Sequence, residues 1–327
     1  MPAGNDNSNE YRRRICLAVD FIHANLAENP SMDEIAHAAA FSKFHFQRLF
    51  KALVGETVAE FTRRLRLETA ARRLVFNPGT DITGLAFDLG FSSSQNFAKA
   101  FRKQFGVSPT QFRDERTLSA GEAVKGASPE ESTNGNIDRT QINAGGDGDS
   151  YDPATVLKDS VLSGIRDEDQ TIDVEVRDMP ALRVVYRRHF GSYADPGVQT
   201  AFDELQRWAE PRGLYDPRRC LGIPWDDADI TPGDRCRFDA CQIVEEDSTI
   251  EGSVNEQSIP AGRYAVYQCE VTGHDFARPW TTLMLYWLPF SGYQPADGPR
   301  YERYVTDGRR DPEGRWQVEI CLPVKPL

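Results

Sequence analysis

The chain has 327 residues, with 38 basic and 50 acidic side chains and a formal charge of −12. That length suggests two domains, and a mean hydropathy of −0.54 with no run near the ~18 apolar residues of a membrane span reads against a membrane protein. The polar stretch Met1 to Glu10 reads against a secretory signal. Six cysteines (Cys16, Cys220, Cys236, Cys241, Cys269, Cys321) form no CxxC pair, which excludes zinc-ribbon and thioredoxin readings and points to a reduced, cytoplasmic setting. The charge is unevenly spread. Residues 1–120 carry 16 basic and 13 acidic groups (+3), residues 121–170 carry 4 and 11 (−7), and residues 171–327 carry 18 and 26 (−8). The one net-positive third is where a polyanion would bind.

The first third is helical in pattern and repeats itself. Ile35 and Ala36 recur as Leu85 and Ala86, and Phe41 and Ser42 as Phe91 and Ser92, 50 residues on. Phe46, Phe50, Gly55 and Phe61 recur as Phe97, Phe101, Gly106 and Phe112, 51 residues on. Each unit reads as a short helix, a tight turn, a second helix and a glycine stop. Ser31 with Glu34, and Ser92 with Gln95, read as capping boxes. Gly90 suits the positive-φ position of the second turn, where the first unit has Ala40. Between the units, Thr57 to Phe76 reads as a connecting helix ended by Asn77, Pro78 and Gly79. At 1.5 Å per residue it would span ~30 Å, close to the ~34 Å between successive major-groove faces of DNA.

In the second helix of the first unit, Phe46, Leu49, Phe50 and Leu53 fall on one buried face. Lys43, Phe44, Gln47, Arg48 and Lys51 are left outward. In the second unit Phe97, Ala100, Phe101 and Phe105 pack inward, leaving Ser94, Gln95, Asn96, Lys99, Arg102 and Lys103 outward. Arginine, glutamine and asparagine match the hydrogen-bonding edges of guanine and adenine, and an aromatic ring can touch thymine methyls. The same arrangement twice over points to a double helix-turn-helix DNA reader.

Residues 118–170 are rich in Gly, Ser, Asp, Glu and Asn and read as a flexible acidic linker. Beyond it the pattern turns to strands, with a second duplication at a spacing of 80. Pro180 to Arg183 recurs as Pro260 to Arg263, Asp239 to Cys241 as Glu319 to Cys321, and Val244 as Val324, while Trp208 matches Trp287 at 79. Each half reads strand, helix, strand, strand. The fold class expected is therefore an all-α double helix-turn-helix domain (8–117), the linker (118–170) and a pseudo-symmetric α+β domain (171–327).

The stretches IAHAAAFSKFHFQRLFK and LAFDLGFSSSQNFAKAFRKQFGVSPTQFR resemble the AraC/XylS-type DNA-binding domain over residues ~11–116. That resemblance implies base reading by Phe44, Gln47 and Arg48, and DNA contacts from Gln95, Asn96 and Lys99; Ala40 departs from the family's usual glycine. HFGSYADPGVQTAFDELQRWAEPRGL, LGIPWDDAD, CRFDACQIV, GPRYERYV and VEICLPVK resemble the GyrI-like effector-binding domain over roughly 172–325, and the domain order resembles the Rob type of bacterial regulator. This second resemblance implies a small-molecule pocket for an apolar or cationic ligand, with Glu319 as its carboxylate. Strand alternation sets Glu319 and Cys321 opposite Val318, Ile320 and Leu322. Trp225, Tyr186, Tyr301 and Tyr304 are the aromatics expected around Glu319, since rings and a carboxylate suit a desolvated cation. Asp239, the symmetry mate, is expected to pair with Arg237 or Arg183.

The sequence thus reads as a transcription regulator without catalytic residues, whose partners are promoter DNA, RNA polymerase and a small effector. Some GyrI-like proteins are hydrolases, so Glu319 with Tyr301 or Tyr304 activating water is the alternative. The five histidines (His23, His37, His45, His189, His274) are dispersed, and no metal or cofactor is implied. A long flexible linker argues against rigid coupling. Ligand is then expected to act by releasing an acidic domain that competes for the basic one, or by changing a polymerase contact.

Overall fold

The computed structural model describes residues 3–77, 79–115, 172–273 and 275–327. The linker expected at 118–170 lies outside these residues, as do His274 and the side chains of Lys43 and Phe44. The chain falls into two compact units, one of residues 1–68 with 168–327 and one of residues 69–167.

In the first unit, α1 (Ala3–Ala24), α2 (Met32–Ala38), α3 (Lys43–Val54) and the start of α4 (Val58–Phe76) enclose a helical core. Ile15, Val19, Ile22, Ile35, Phe46, Phe50 and Phe61 are buried together there. The rings of Phe46 and Phe50, and of Phe50 and Phe61, meet edge to face at 5.5 Å, a geometry worth ~0.5–1.5 kcal/mol per pair beyond burial. Both arms of the Ser31–Glu34 capping box form, at 2.7 and 3.2 Å. In the second unit, α5 (Ile82–Asp88) and α6 (Ser94–Phe105) pack through Phe97, Phe101, Phe105 and Phe112. The cap of α6 is one residue later than the sequence suggested. Ser93, not Ser92, accepts from the Asn96 amide at 3.2 Å, and Ser92 instead takes the Asn96 side-chain amide at 2.9 Å.

The two turns repeat atom for atom. The Ala40 amide donates to His37 and that of Phe41 to Ala36, as Gly90 does to Phe87 and Phe91 to Ala86, all at 2.9 Å. The shared geometry puts Ala40 at φ 53 where Gly90 has φ 75.

The rest of the first unit is antiparallel sheet. Its strands are β1 (Val174–Met179), β2 (Leu182–Phe190), β3 (Cys220–Pro224), β4 (Arg237–Ile243), β5 (Asn255–Ile259), β6 (Gly262–Val271), β7 (Tyr293–Pro295), β8 (Tyr301–Tyr304) and β9 (Trp316–Pro326). They run in the order β1-β6-β9-β8-β3-β4-β2-β5, with β7 beside β9. Exchanging β1 with β5, β2 with β6, β3 with β8 and β4 with β9 reverses that order onto itself. This is the pseudo-twofold that the spacing of 80 predicts. Each half also takes its edge strand from the other, since β1 pairs with β6 and β5 with β2.

One sheet face carries helix α7 (Pro196–Ala209), whose Ala201, Leu205 and Trp208 are buried near Val185, Phe238 and Ala240. Its counterpart is shorter: α8 (Ala277–Thr282) continues as a π-helical turn, Leu283–Trp287, and Trp287 sits in that turn. At the pseudo-axis Gly222 pairs with Glu302. A Cβ on Gly222 would lie 2.4 Å from Phe238 and 2.5 Å from the Tyr304 hydroxyl, so only glycine fits.

The left-handed conformation costs an L-residue roughly 1–2 kcal/mol, part of which glycine's extra chain entropy offsets. Ala40→Gly should therefore raise stability by about 0.5–1 kcal/mol in urea unfolding. An unchanged or lower midpoint would show that Ala40 is not strained.

Candidate functional site

The outward face of α3 carries Gln47, Arg48 and Lys51, all exposed, over a buried row of Phe46, Phe50 and Val54. Gly55 ends the helix at φ 83, its amide returning to Lys51 at 3.0 Å. On α6, Gln95, Asn96, Lys99 and Arg102 are exposed and Ser94 is half-buried, over Phe97, Phe101 and Phe105. Among the described residues Arg48, Lys99 and Arg102 form no ion pair. Their charges stand in water, where phosphates can reach them.

The second surface is the sheet face opposite α7, built on residues of alternating parity. Tyr186, Leu221, Ile223, Cys241, Tyr264, Val266, Tyr301 and Cys321 form its buried floor. Asp239, with no solvent exposure, is its most demanding group. Its oxygens accept from Arg188 Nε and Nη2 at 2.6 and 2.7 Å, from Trp225 Nε1 at 2.7 Å and from Gln257 Nε2 at 3.0 Å. The Arg188 guanidinium lies 5.0 Å from the Tyr186 ring and 5.5 Å from that of Trp225. Burial works against its charge, but Asp20 and Asp239 outweigh it and hold Arg188 protonated. The expected partners of Asp239 are engaged elsewhere. Arg237 forms a buried bidentate pair with Asp226 at 2.7 and 2.9 Å, and Arg183 pairs with Glu256 at 2.8 Å.

Helix α1 lies on this half of the face. Asp20 accepts from Arg188 Nη1 at 2.7 Å and from the Tyr186 hydroxyl. The His23 ring meets Trp225 edge-on at 5.0 Å. Cys16 is buried in the floor, its thiol pushed up to about 12 by desolvation. Asn255 donates to the Arg13 carbonyl at 3.0 Å. Further contacts join the segment after α3 and the start of α4 to the sheet domain: Arg235 pairs with Glu56 at 3.3 Å, and the Arg237 guanidinium lies 5.5 Å from the Phe61 ring. Helix α3 is therefore anchored to the sheet domain through its neighbours. This differs from the loose coupling expected of a linker, because residues 1–68 pack on the sheet directly. Sequence reasoning missed α1, although Cys16, Asp20 and His23 recur at i, i+4 and i+7 on one helix face.

Glu319 occupies the corresponding place in the other half and is nearly as buried. It accepts from Gln268 at 3.1 Å and, over longer distances, from Arg177 at 3.4 Å and Arg303 at 3.5 Å. The partners are exchanged across the spacing of 80, where Arg188 matches Gln268 and Gln257 matches Arg177. Both carboxylates are thus already neutralised by guanidinium groups. Three strand spacings, roughly 14 Å at ~4.8 Å each, separate β9 from β4.

The expected aromatic shell is accordingly divided. Tyr301 shares the face of Glu319; it is buried, 5.5 Å from the Tyr264 ring, and its hydroxyl has no hydrogen-bond partner among the described residues. Tyr186 and Trp225 belong to Asp239 instead. Tyr304 is on the opposite face, because three residues along a strand reverse a side chain's direction. There it packs among Phe202, Phe276 and Trp316 and donates to Glu302 at 2.9 Å. Glu302 also accepts from Trp280 Nε1 at 2.8 Å, and desolvation pushes its carboxyl up to about 6.

Among the described residues no cluster of histidine, cysteine or carboxylate could hold a metal, and no helix is long and apolar enough to cross a membrane. A family model described as a GyrI-like small molecule binding domain matches residues 172–325, and one described as a helix-turn-helix domain matches 35–115. The DNA gyrase inhibitor of Escherichia fergusonii is 35% identical over 133 residues, 39% of this chain and 83% of that protein. That of Serratia proteamaculans is 35% identical over 160 residues, 46% of this chain and 97% of that protein. A crystal structure of an AraC-type transcriptional regulator from Chromobacterium violaceum is 30% identical with a TM-score of 0.30, covering 32% of this chain and 91% of that one.

Two stability predictions follow from the buried charges. Arg188→Met strands Asp239 and should cost about 3–5 kcal/mol, whereas Arg177→Met, at a partly exposed pair, should cost less than ~1 kcal/mol; similar losses in urea unfolding would contradict this ranking. Glu302 binds its proton more tightly folded than unfolded. Its stabilising share is full below about 4.5 and is lost as pH rises through about 6. Relative to Glu302→Gln, the native protein should lose about 2 kcal/mol across that window, and parallel stability curves for the two would refute the assignment.

Proposed function

Because the chain belongs to the GyrI-like family and carries an AraC-type helix-turn-helix region ahead of its GyrI-like domain, we propose that it is a sequence-specific transcription regulator that senses a small molecule. The observation that carries this reading is the pair of helices, α3 and α6, each offering long polar and basic side chains from a face backed by phenylalanine. Gln47 and Arg48 on α3, with Phe44, and Gln95 and Asn96 on α6 read base edges. Lys43, Lys51, Ser94, Lys99 and Arg102 hold phosphates and supply the salt-sensitive part of the affinity. The GyrI-like sheet face, with Glu319, Tyr301, Tyr186 and Trp225, takes the effector. The chain acts in the cytoplasm on promoter DNA and alters the engagement of RNA polymerase. A regulatory role accounts for a GyrI-like domain joined to a DNA reader better than turnover does.

The test is fluorescence anisotropy of the full chain on the DNA upstream of its own gene, against a scrambled fragment at physiological salt. A specific regulator should prefer its site by ~10³-fold or more. Arg48→Ala should cost about 1–3 kcal/mol on that site and little on the scrambled one. Lys51→Ala should weaken both and flatten the salt dependence. Equal binding to both fragments, followed by a genome-wide selection that yields no preferred sequence, would rule out specific regulation.

A further inference from the structure

Helix α1 has two working faces. Ile15, Ala18, Val19 and Ile22 are buried in the helical core, while Cys16, Asp20 and His23 meet the sheet. On the sheet side they present a carboxylate and an aromatic ring, three residues apart. The carboxylate lies between the Arg188 guanidinium and the Tyr186 hydroxyl, and the ring meets Trp225. Arg188 remains fixed on Asp239 by two further bonds, so these donors keep their positions whatever fills the place of Asp20. In the other half, residues 80 further on from Tyr186, Arg188 and Trp225 are Val266, Gln268 and Val305. Those three positions offer no guanidinium, hydroxyl or indole, and the arginines of that half, Arg177 and Arg303, are turned to Glu319.

We propose that the Asp239 half of the sheet face is a binding site for small aromatic carboxylates, and that α1 is its resident occupant. Such a ligand replaces Asp20 on Arg188 and Tyr186 and stacks its ring on Trp225 in place of His23. Ligand and α1 therefore exclude each other. Displacement leaves the other face of α1 in the helical core of the first head, but α1 loses the support of the sheet and opens more often. The same displacement removes the Asp20 and His23 ties, leaving the head held by the Arg13–Asn255, Glu56–Arg235 and Phe61–Arg237 contacts, and binding at the sensor is thereby transmitted to a DNA-reading element. This inference rests on the regulator reading only for its consequence, since the competition itself is a property of the binding site.

The experiment uses the full chain and 2-naphthoate as probe, with calorimetry for affinity and hydrogen exchange over residues 11–24 for the state of α1. Removing the occupant with Asp20→Ala/His23→Ala should tighten binding at least tenfold, and adding Tyr186→Phe to that doubly substituted chain, where no occupant uses the hydroxyl, should weaken it several-fold. In the native chain, saturating naphthoate should speed exchange along α1. Equal affinity in the native and doubly substituted chains, binding with α1 still protected, or no binding by either chain would each overturn the proposal. Binding lost in Glu319→Gln yet indifferent to Asp20 and His23 would place the ligand in the other half and overturn it equally. A small molecule that shifts DNA affinity while α1 stays protected sinks this inference and spares the regulator reading. Absence of sequence-selective DNA binding sinks that reading and leaves the naphthoate result to stand or fall alone.

Discussion

Asp239 has no access to water, and an ionised carboxylate in that position must be solvated by the protein. Taking such a charge out of water costs several kcal/mol per ion even after relaxation. Three side chains from separate parts of the sheet domain supply the replacement: Arg188 from β2, Trp225 from the loop after β3, and Gln257 from β5. Meeting that demand fixes the Arg188 guanidinium between two rings, with one nitrogen left over. That nitrogen meets Asp20, and the contact brings α1 onto the sheet. The association of the first reading head with the sensor face is thus a consequence of how one buried charge is satisfied.

The duplicated half shows what happens when the demand is weaker. Glu319 keeps the same strand position, but its arginine and glutamine have changed places and Arg303 serves where Asp239 has the Trp225 indole. Its bonds are longer, and its arginines reach partly into solvent. A single architectural plan thus holds one carboxylate tightly and its mate loosely. The difference arises from which strand supplies the guanidinium: β2, inside the sheet, holds the Asp239 partner, whereas one Glu319 partner comes from the edge strand β1.

The repeats were legible because they are periodic. Phenylalanine at fixed spacing defined both helical units, and the offset of 80 in Pro180, Asp239 and Val244 gave the pseudo-twofold before any strand order was known. Side-chain parity was legible too, yet Tyr301 and Tyr304 were grouped together although three residues apart on one strand. The partners of Asp239 were not legible. Arg237 is nearest in sequence and on the same face, but Asp226 claims it, and Arg188 becomes a neighbour only through the β2–β4 register. Nor was α1 legible as a docking element. One hydrophobic stripe was enough to explain it as a helix, and a second stripe containing an acid and an imidazole looks like a solvent face until its partner strand is placed.

The distance along the chain between Asp20 and Arg188, 168 residues, bears on how the molecule is made. At a translation rate of ~5–20 residues per second, the first head leaves the ribosome roughly ten to thirty seconds before the strand that will receive it. Its buried core residues all lie between Ile15 and Leu65 and can come together before the sheet is made. The sheet-facing side of α1, with a thiol, a carboxylate and an imidazole, meanwhile stays open to solvent and to chaperones. The first half of the sheet must also wait for its edge strand β5, which follows all of its own strands in the chain, so the receiving surface is completed late. During that interval the nascent chain carries α1 and α3 without the sheet on which α1 comes to rest.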